Sequence, residues 1–172
     1  MDPGADAWRT TQRGFTLIEV VIAIGVLALL MSLALPSFGE ALARARLKSA
    51  AEDLAFDLGA TRLESLRPAS VPLHVSVQAG TTWCWAIGPA PQPDCRGNAP
   101  GSYKVVHSED YPGISMSMGA SAQFDGHDAL PSTTLAAEFV STHGHSLRVH
   151  MTPLGRATIC AQAMPVGDYP RC

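Results

Sequence analysis

The stretch Gly14-Phe15-Thr16-Leu17-Ile18-Glu19, continuing as VVIAIGVLALLMSLAL to Pro36, decides how the rest of the chain is arranged. Between Phe15 and Leu35 its only polar side chains are those of Thr16, Glu19 and Ser32. A helix over those 21 residues, rising about 1.5 Å per residue, covers the roughly 30 Å hydrocarbon core of a bilayer. Glu19 is the one ionisable group in the run, and a charge in an apolar phase costs several kcal/mol unless something compensates it. The sequence therefore asks for a partner to that acid. An ordinary single-pass anchor would let Glu19 snorkel from near one end. A secretory signal peptide cut near Ala41-Leu42-Ala43 would have a shorter apolar region without an acid.

Working outward, Gly14 through Glu19 resembles the class III signal of type IV prepilins and type II secretion pseudopilins. The resemblance implies cleavage by a prepilin peptidase after Gly14 and methylation of the new N-terminal Phe15. It also implies that Glu19 of one subunit neutralises the Phe15 ammonium of its neighbour during assembly. The physical chemistry is consistent with that role, since a carboxylate among packed helices is tolerable when it meets an opposite charge.

The chain has 172 residues and a net charge of -3, enough for an anchor and one compact domain. In the first 14 residues Asp2 and Asp6 cancel Arg9 and Arg13, so removal of a leader over 1–14 leaves a mildly acidic protein. Whole-chain charge thus gives no general nucleic-acid surface. Arg9 and Arg13 precede the span and no further cation follows until Arg44. By the positive-inside tendency the leader lies in the cytoplasm and the body outside; the prepilin resemblance implies that the membrane is the inner membrane and the body's compartment the periplasm. All four cysteines, Cys84, Cys95, Cys160 and Cys172, lie in that body, where disulfides persist.

After a span over 15–36, Pro36 stands where an emerging helix can kink. Leu47, Ala51, Leu54 and Leu58 then recur at helical spacing, with Arg44, Lys48 and Glu52 on another face. An amphipathic half over 37–67 with one apolar stripe is expected, stopped by Arg67-Pro68. From Val71 the period changes to two. Val71 to Gln78 reads as a strand, and Thr81 to Ile87 follows Ala79-Gly80 as its hairpin partner. Gly88 to Gly101 is a Pro/Gly-rich loop. Further strands are expected at Tyr103 to His107, Ile114 to Met118, Leu135 to Ser141, Ser146 to Met151 and Arg156 to Ala161, separated by turn signals.

The stretch Ala50 to Val75, with Asp53-Leu54, Ala60-Thr61-Arg62 and Glu64-Ser65, is similar to the helix-to-strand junction of the GspH/FimT family of minor pilins and pseudopilins. Trp83 and Gly88, Phe124-Asp125-Gly126 and Leu154-Gly155-Arg156 add looser matches. The resemblance implies an α+β fold: a long N-terminal helix packed on a β-rich head, 68–172, of two small antiparallel sheets. The functional reading is a minor pilin at or near the tip of a type IV pilus, a non-catalytic subunit with no cofactor or metal. Its partners would be other pilins through the helix, the prepilin peptidase and the inner membrane. An H-type pseudopilin of a type II secretion system is the alternative. DNA uptake is a third reading, because some FimT-like pilins capture DNA through Gly-Arg-x-Arg. Here those positions are Gly155-Arg156-Ala157-Thr158, and the loss of one cation removes phosphate contacts. Arg148 and Arg171 are the other arginines able to join Arg156 in a local patch.

Four cysteines allow three pairings, of which Cys84 with Cys95 and Cys160 with Cys172 staple the segments poorest in regular pairing. Neither pair has metal-ligand spacing. His143-Gly144-His145 reads as an exposed hairpin turn, and alternation places Arg148 and His150 on one side of a strand. Asp125 and His127 add no ligand spacing, and Ser, His and Asp occur without a nucleophile-elbow motif.

Overall fold

The computed structural model describes residues 14–67, 71–91, 93–95 and 101–172, with the side chains of 33–36 left outside the description. The leader charges Asp2, Asp6, Arg9 and Arg13, the side chain of Pro36, and Pro68 therefore lie outside the described residues. Backbone contacts divide the chain at Phe38/Gly39.

Helix α1, Leu17–Ser65, opens at Thr16, whose Oγ1 accepts from the Glu19 N–H at 3.3 Å. A hydroxyl at this position satisfies one of the amides a helix start leaves open. At the other end Thr61 and Ser65 donate to the carbonyls of Asp57 and Arg62. The Leu66 and Arg67 amides bond three residues back, tightening the last turn.

From Gly39 onward the helix belongs to the head. One four-stranded antiparallel sheet has the order β3-β2-β1-β5, from Lys104–His107, Cys84–Gly88, Leu73–Gln78 and Ala122–Phe124. The other has the order β4-β6-β7-β8, from Ile114–Gly119, Ala136–Ser141, Ser146–Met151 and Ala157–Ala161. The α+β architecture with two small antiparallel sheets is thus as expected. Leu47, Leu54 and Leu58 of the helix meet Val75 and Trp85 of the first sheet and Phe139, Leu147 and Val149 of the second in a single buried cluster. Trp83 and Trp85 stack at 5.5 Å, and Phe139 meets Trp83 edge-on at 5.3 Å.

Two local expectations need correction, and one strand was not foreseen. The β1–β2 hairpin forms, but Gln78 pairs with Cys84, so the turn runs over 79–83 instead of Ala79-Gly80. Gly80 is occupied elsewhere, exchanging backbone hydrogen bonds with Met116 of β4 and so joining the two sheets. Strand β5 had no expectation: its three residues are too few to show alternation, and only pairing with Leu73–Val75 fixes them. The helix of the head also carries more than one apolar stripe. Leu47, Ala51, Leu54 and Leu58 are buried as expected, but Leu42, Ala45, Phe56 and Leu63 form a second, exposed row with Ser49 and Glu52 between them.

Strand β2 is buried at every position. Trp85 and Ile87 face the main core, whereas Cys84 and Ala86 join Cys95 in a second small cluster backed by Val105. The disulfide Cys84–Cys95 lies in that second cluster, and Cys160–Cys172 ties the C-terminus to β8. Those are the two local pairings.

Candidate functional site

Every described residue from Gly14 to Ser32 is exposed. Phe15 and Leu17 are more than 80% accessible and Ile18, Ile22, Ile24 and Leu29 about 60%. An apolar helix uncovered on all sides is stable only against lipid or other apolar helices. Among the described residues no single helix is long and apolar enough to cross a membrane. The segments Leu17–Ser32 and Ser37–Ser65, divided between them, pass together by length and composition. Glu19 sits in the first turn, where a carboxylate complements the positive end of the helix dipole. Its side chain has no hydrogen-bonding or ionic partner among the described residues.

Within the head, by contrast, four acids of the same helix are each matched. Asp57 is buried and accepts from Trp85 Nε1 at 2.9 Å and Lys104 Nζ at 2.6 Å. The Tyr111 hydroxyl donates to Asp53, and the Tyr169 hydroxyl to Glu52. Glu40 meets His145 Nε2 at 3.2 Å with Arg44 nearby at 3.8 Å. The His145 hydrogen bond, then the Arg44 charge, holds the Glu40 carboxyl below the usual range. Burial, and then the hydrogen bond to Asp53, pushes the Tyr111 phenol well above its ordinary value. The same causes, with Glu52 as the acid, push Tyr169 up to about 12. Asp53 and Asp57 are one helical turn apart beside the Leu54/Leu58 stripe. That adjacency was a readable signal for docking contacts, but their partners come from strands distant in sequence.

The histidine reading divides. His143 is exposed in the β6–β7 turn, but His145 is buried, which corrects the expectation of an exposed His143-Gly144-His145 turn. Ser141 Oγ accepts from the His145 N–H, and Glu40 fixes the ring. His127 and Asp125 are exposed. Among the described residues no three potential ligands come together to hold a metal ion.

The three arginines considered for DNA are not brought together. Arg148 and His150 share the outer side of β7, as alternation requires, but Arg148 is held by Glu138 at 3.3 Å with the Gln162 amide beside it. Arg156 precedes β8, while Arg171 bridges to Ala161 at its other end, about 16 Å away at the usual strand rise. Thr158 is turned to His150, its hydroxyl 2.9 Å from Nε2. Gly155, at φ +74°, lies so close to Arg62 that a Cβ there would fall 2.7 Å from Nε.

Consistent with this geometry, residues 9–35 match the family of the prokaryotic N-terminal methylation motif. The match contains Gly14, Phe15 and Glu19 and ends one residue before Pro36. The motif is that of type IV pilin-like prepilins, and it implies processing by a prepilin peptidase, membrane anchoring and assembly with other pilins. No curated protein and no solved structure matches the chain significantly.

Proposed function

We propose that the chain is a minor pilin of the GspH/FimT type, a non-catalytic subunit incorporated at or near the tip of a type IV pilus. In this reading it is a single-pass inner-membrane precursor with its head in the periplasm, cleaved between Gly14 and Phe15. The observation that carries the reading is the uncovered apolar helix beneath the methylation motif, with Glu19 one turn in and without a partner among the described residues. Cleavage creates an ammonium at Phe15, and in a bundle of such helices that ammonium on a neighbour answers the carboxylate. Burial of the apolar helix surface against other helices would drive assembly. On the head itself, the exposed apolar side chains Leu42, Ala45, Phe56 and Leu63, interrupted by Ser49 and Glu52, offer further surface to a partner helix.

Support for the narrower family comes from a helix seated on two four-stranded antiparallel sheets and from the Gly155-Arg156 turn before the last strand. The two disulfides suit a head exposed outside the cell. That favours the pilus over an H-type pseudopilin, which would use the same helix in a short periplasmic filament.

Mass spectrometry of the membrane-extracted protein should find a mature chain beginning at N-methylated Phe15. A chain still beginning at Met1 in cells with active prepilin peptidase would sink the proposal. Deletion of the gene should abolish piliation and twitching. Loss of exoprotein release with intact pili would shift the assignment to the secretion system. Glu19→Gln should leave the protein in the membrane but out of filaments, and undisturbed incorporation would contradict the role given to the acid.

A further inference from the structure

Beside the last three turns of the helix lies a groove of about 670 Å3, walled by Phe56, Leu63 and Leu66 on one side and by Gly155, Arg156 and the first β8 residue, Ala157, on the other. Its lining is apolar apart from Arg62 and Arg156, and among the described residues no acid lines it. Elsewhere in the head, Arg44, Arg67, Lys104 and Arg148 pair with carboxylates, Lys48 lies over the Tyr169 ring and Arg46 donates to the Pro112 carbonyl, Arg46 and Arg171 being without an ion pair among the described residues. The two groove arginines have no ion pair among the described residues. Arg62 lies along Gly155 with Nη1 donating to its carbonyl at 3.0 Å, and its Nε is buried without an acceptor. Arg156 is exposed; its backbone N–H donates to Thr152 Oγ1 at 3.2 Å and its carbonyl accepts from the Thr152 N–H at 2.9 Å, while its guanidinium has no hydrogen-bonding or ionic partner among the described residues.

We infer that this groove docks a peptide segment of another protein in which a carboxylate stands next to an apolar side chain. Two guanidiniums over an apolar floor, with no internal acid, are complementary to that pair of groups and favour planar, forked contact with a carboxylate. A nucleic-acid backbone fits poorly, because it needs a row of cations on a hydrated surface, and Arg171 lies at the far end of β8. A lone acyl chain also fits poorly. Phe56 and Leu63 are at least 70% exposed, so the floor is open and would leave much of such a chain in water. A peptide needs to bury only one apolar side chain there. The inference is independent of the filament reading, since it concerns the head alone.

The test uses the full chain in detergent micelles, panned against a random peptide library displayed on phage. Enriched peptides should carry Asp or Glu within two residues of Leu, Ile, Met or Phe. A synthetic peptide from that pool, followed by fluorescence anisotropy, should bind Arg156→Gln about tenfold more weakly, as for loss of one charge-assisted hydrogen bond. Arg62→Gln should weaken it at least as much, and Leu63→Asp should abolish binding. Arg62 supports the Gly155 turn and its loss can disturb the fold, whereas the unfolding curve of Arg156→Gln should superimpose on that of the parent. The inference is overturned by no enrichment, by enriched peptides without an acid, or by equal binding to Arg156→Gln. It is equally overturned if the groove serves another occupant: duplex DNA bound with a steep salt dependence that Arg156→Gln removes, or self-association that Leu63→Asp removes.

Discussion

Asp57 and Glu19 are acids of one helix, α1, yet their surroundings are opposite. Asp57 is buried and finds Trp85 and Lys104 waiting on β2 and β3. Glu19 stands in an apolar stretch where the described chain supplies no counterpart. The same division runs through the leucines: Leu54 is fully buried by the two sheets, while Leu27 is more than half exposed. Where the head folds onto the helix, the chain satisfies Asp53 and Asp57 and covers the Leu47/Leu54/Leu58 face from within. Before Gly39 the described residues supply neither a partner to Glu19 nor cover to the apolar helix around it.

That contrast can be tested through unfolding of the head, followed in micelles by near-ultraviolet circular dichroism. Leu54→Ala should cost about 3 kcal/mol, the usual range for a core truncation that leaves a cavity. Leu27→Ala should leave the head's unfolding midpoint unchanged, and an equal loss for both would erase the distinction. Removing the C-terminal staple with Cys160→Ser and Cys172→Ser should cost roughly 3 kcal/mol in the chain-entropy picture. Asp57→Ala strands the Trp85 N–H and one face of Lys104. A loss of about 2–3 kcal/mol is expected, moderated because the lysine is about half exposed. A loss below about 0.5 kcal/mol would mean the carboxylate is tolerated and not needed.

The Tyr169–Glu52 contact should give a smaller effect with a definite sign. Its phenol titrates higher in the folded protein, about 12, than the ordinary 10. The stabilisation is therefore complete below pH 10 and disappears as pH rises toward 12. Because the raised Tyr111 phenol acts in the same alkaline range, Tyr169→Phe should reduce that slope without abolishing it and change the neutral-pH midpoint little; an unchanged alkaline slope would assign the whole effect to Tyr111. The Glu40–His145 contact acts at the acid end, because the lowered Glu40 carboxyl makes its contribution fade as pH falls below 4.5. Glu19→Gln should have the smallest effect on the head, leaving its midpoint where it was. A clear shift would mean that the two halves of α1 are energetically coupled.

The residues that resisted reading show why. Strands β6 and β7 are visible as alternation because one side of that sheet faces the core and the other does not. Strand β2 reads as uninterrupted apolar sequence, because a disulfide-bearing loop covers its second side. His145 was expected in the open because of Gly144, but its ring is drawn inward by Glu40, remote in sequence. Of the groove arginines, Arg156 was noticed in the Gly155-Arg156 fragment and Arg62 only within Ala60-Thr61-Arg62 of the helix-to-strand junction. Their isolation from acids emerges once the helix and the β7–β8 turn are side by side.

The sequence by itself determined the apolar helix, its cleavage and methylation signal, the lone acid within it and the change to strand periodicity after Val71. These properties are written in neighbouring residues, where hydropathy, spacing and turn chemistry act locally. Only the tertiary structure decided which acids of the helix are satisfied, how the strands divide between two sheets, and that a second apolar row and a pair of unmatched arginines remain on the head. Each depends on groups far apart in the chain meeting across a packed interface, and no local pattern encodes which distant side chain will arrive.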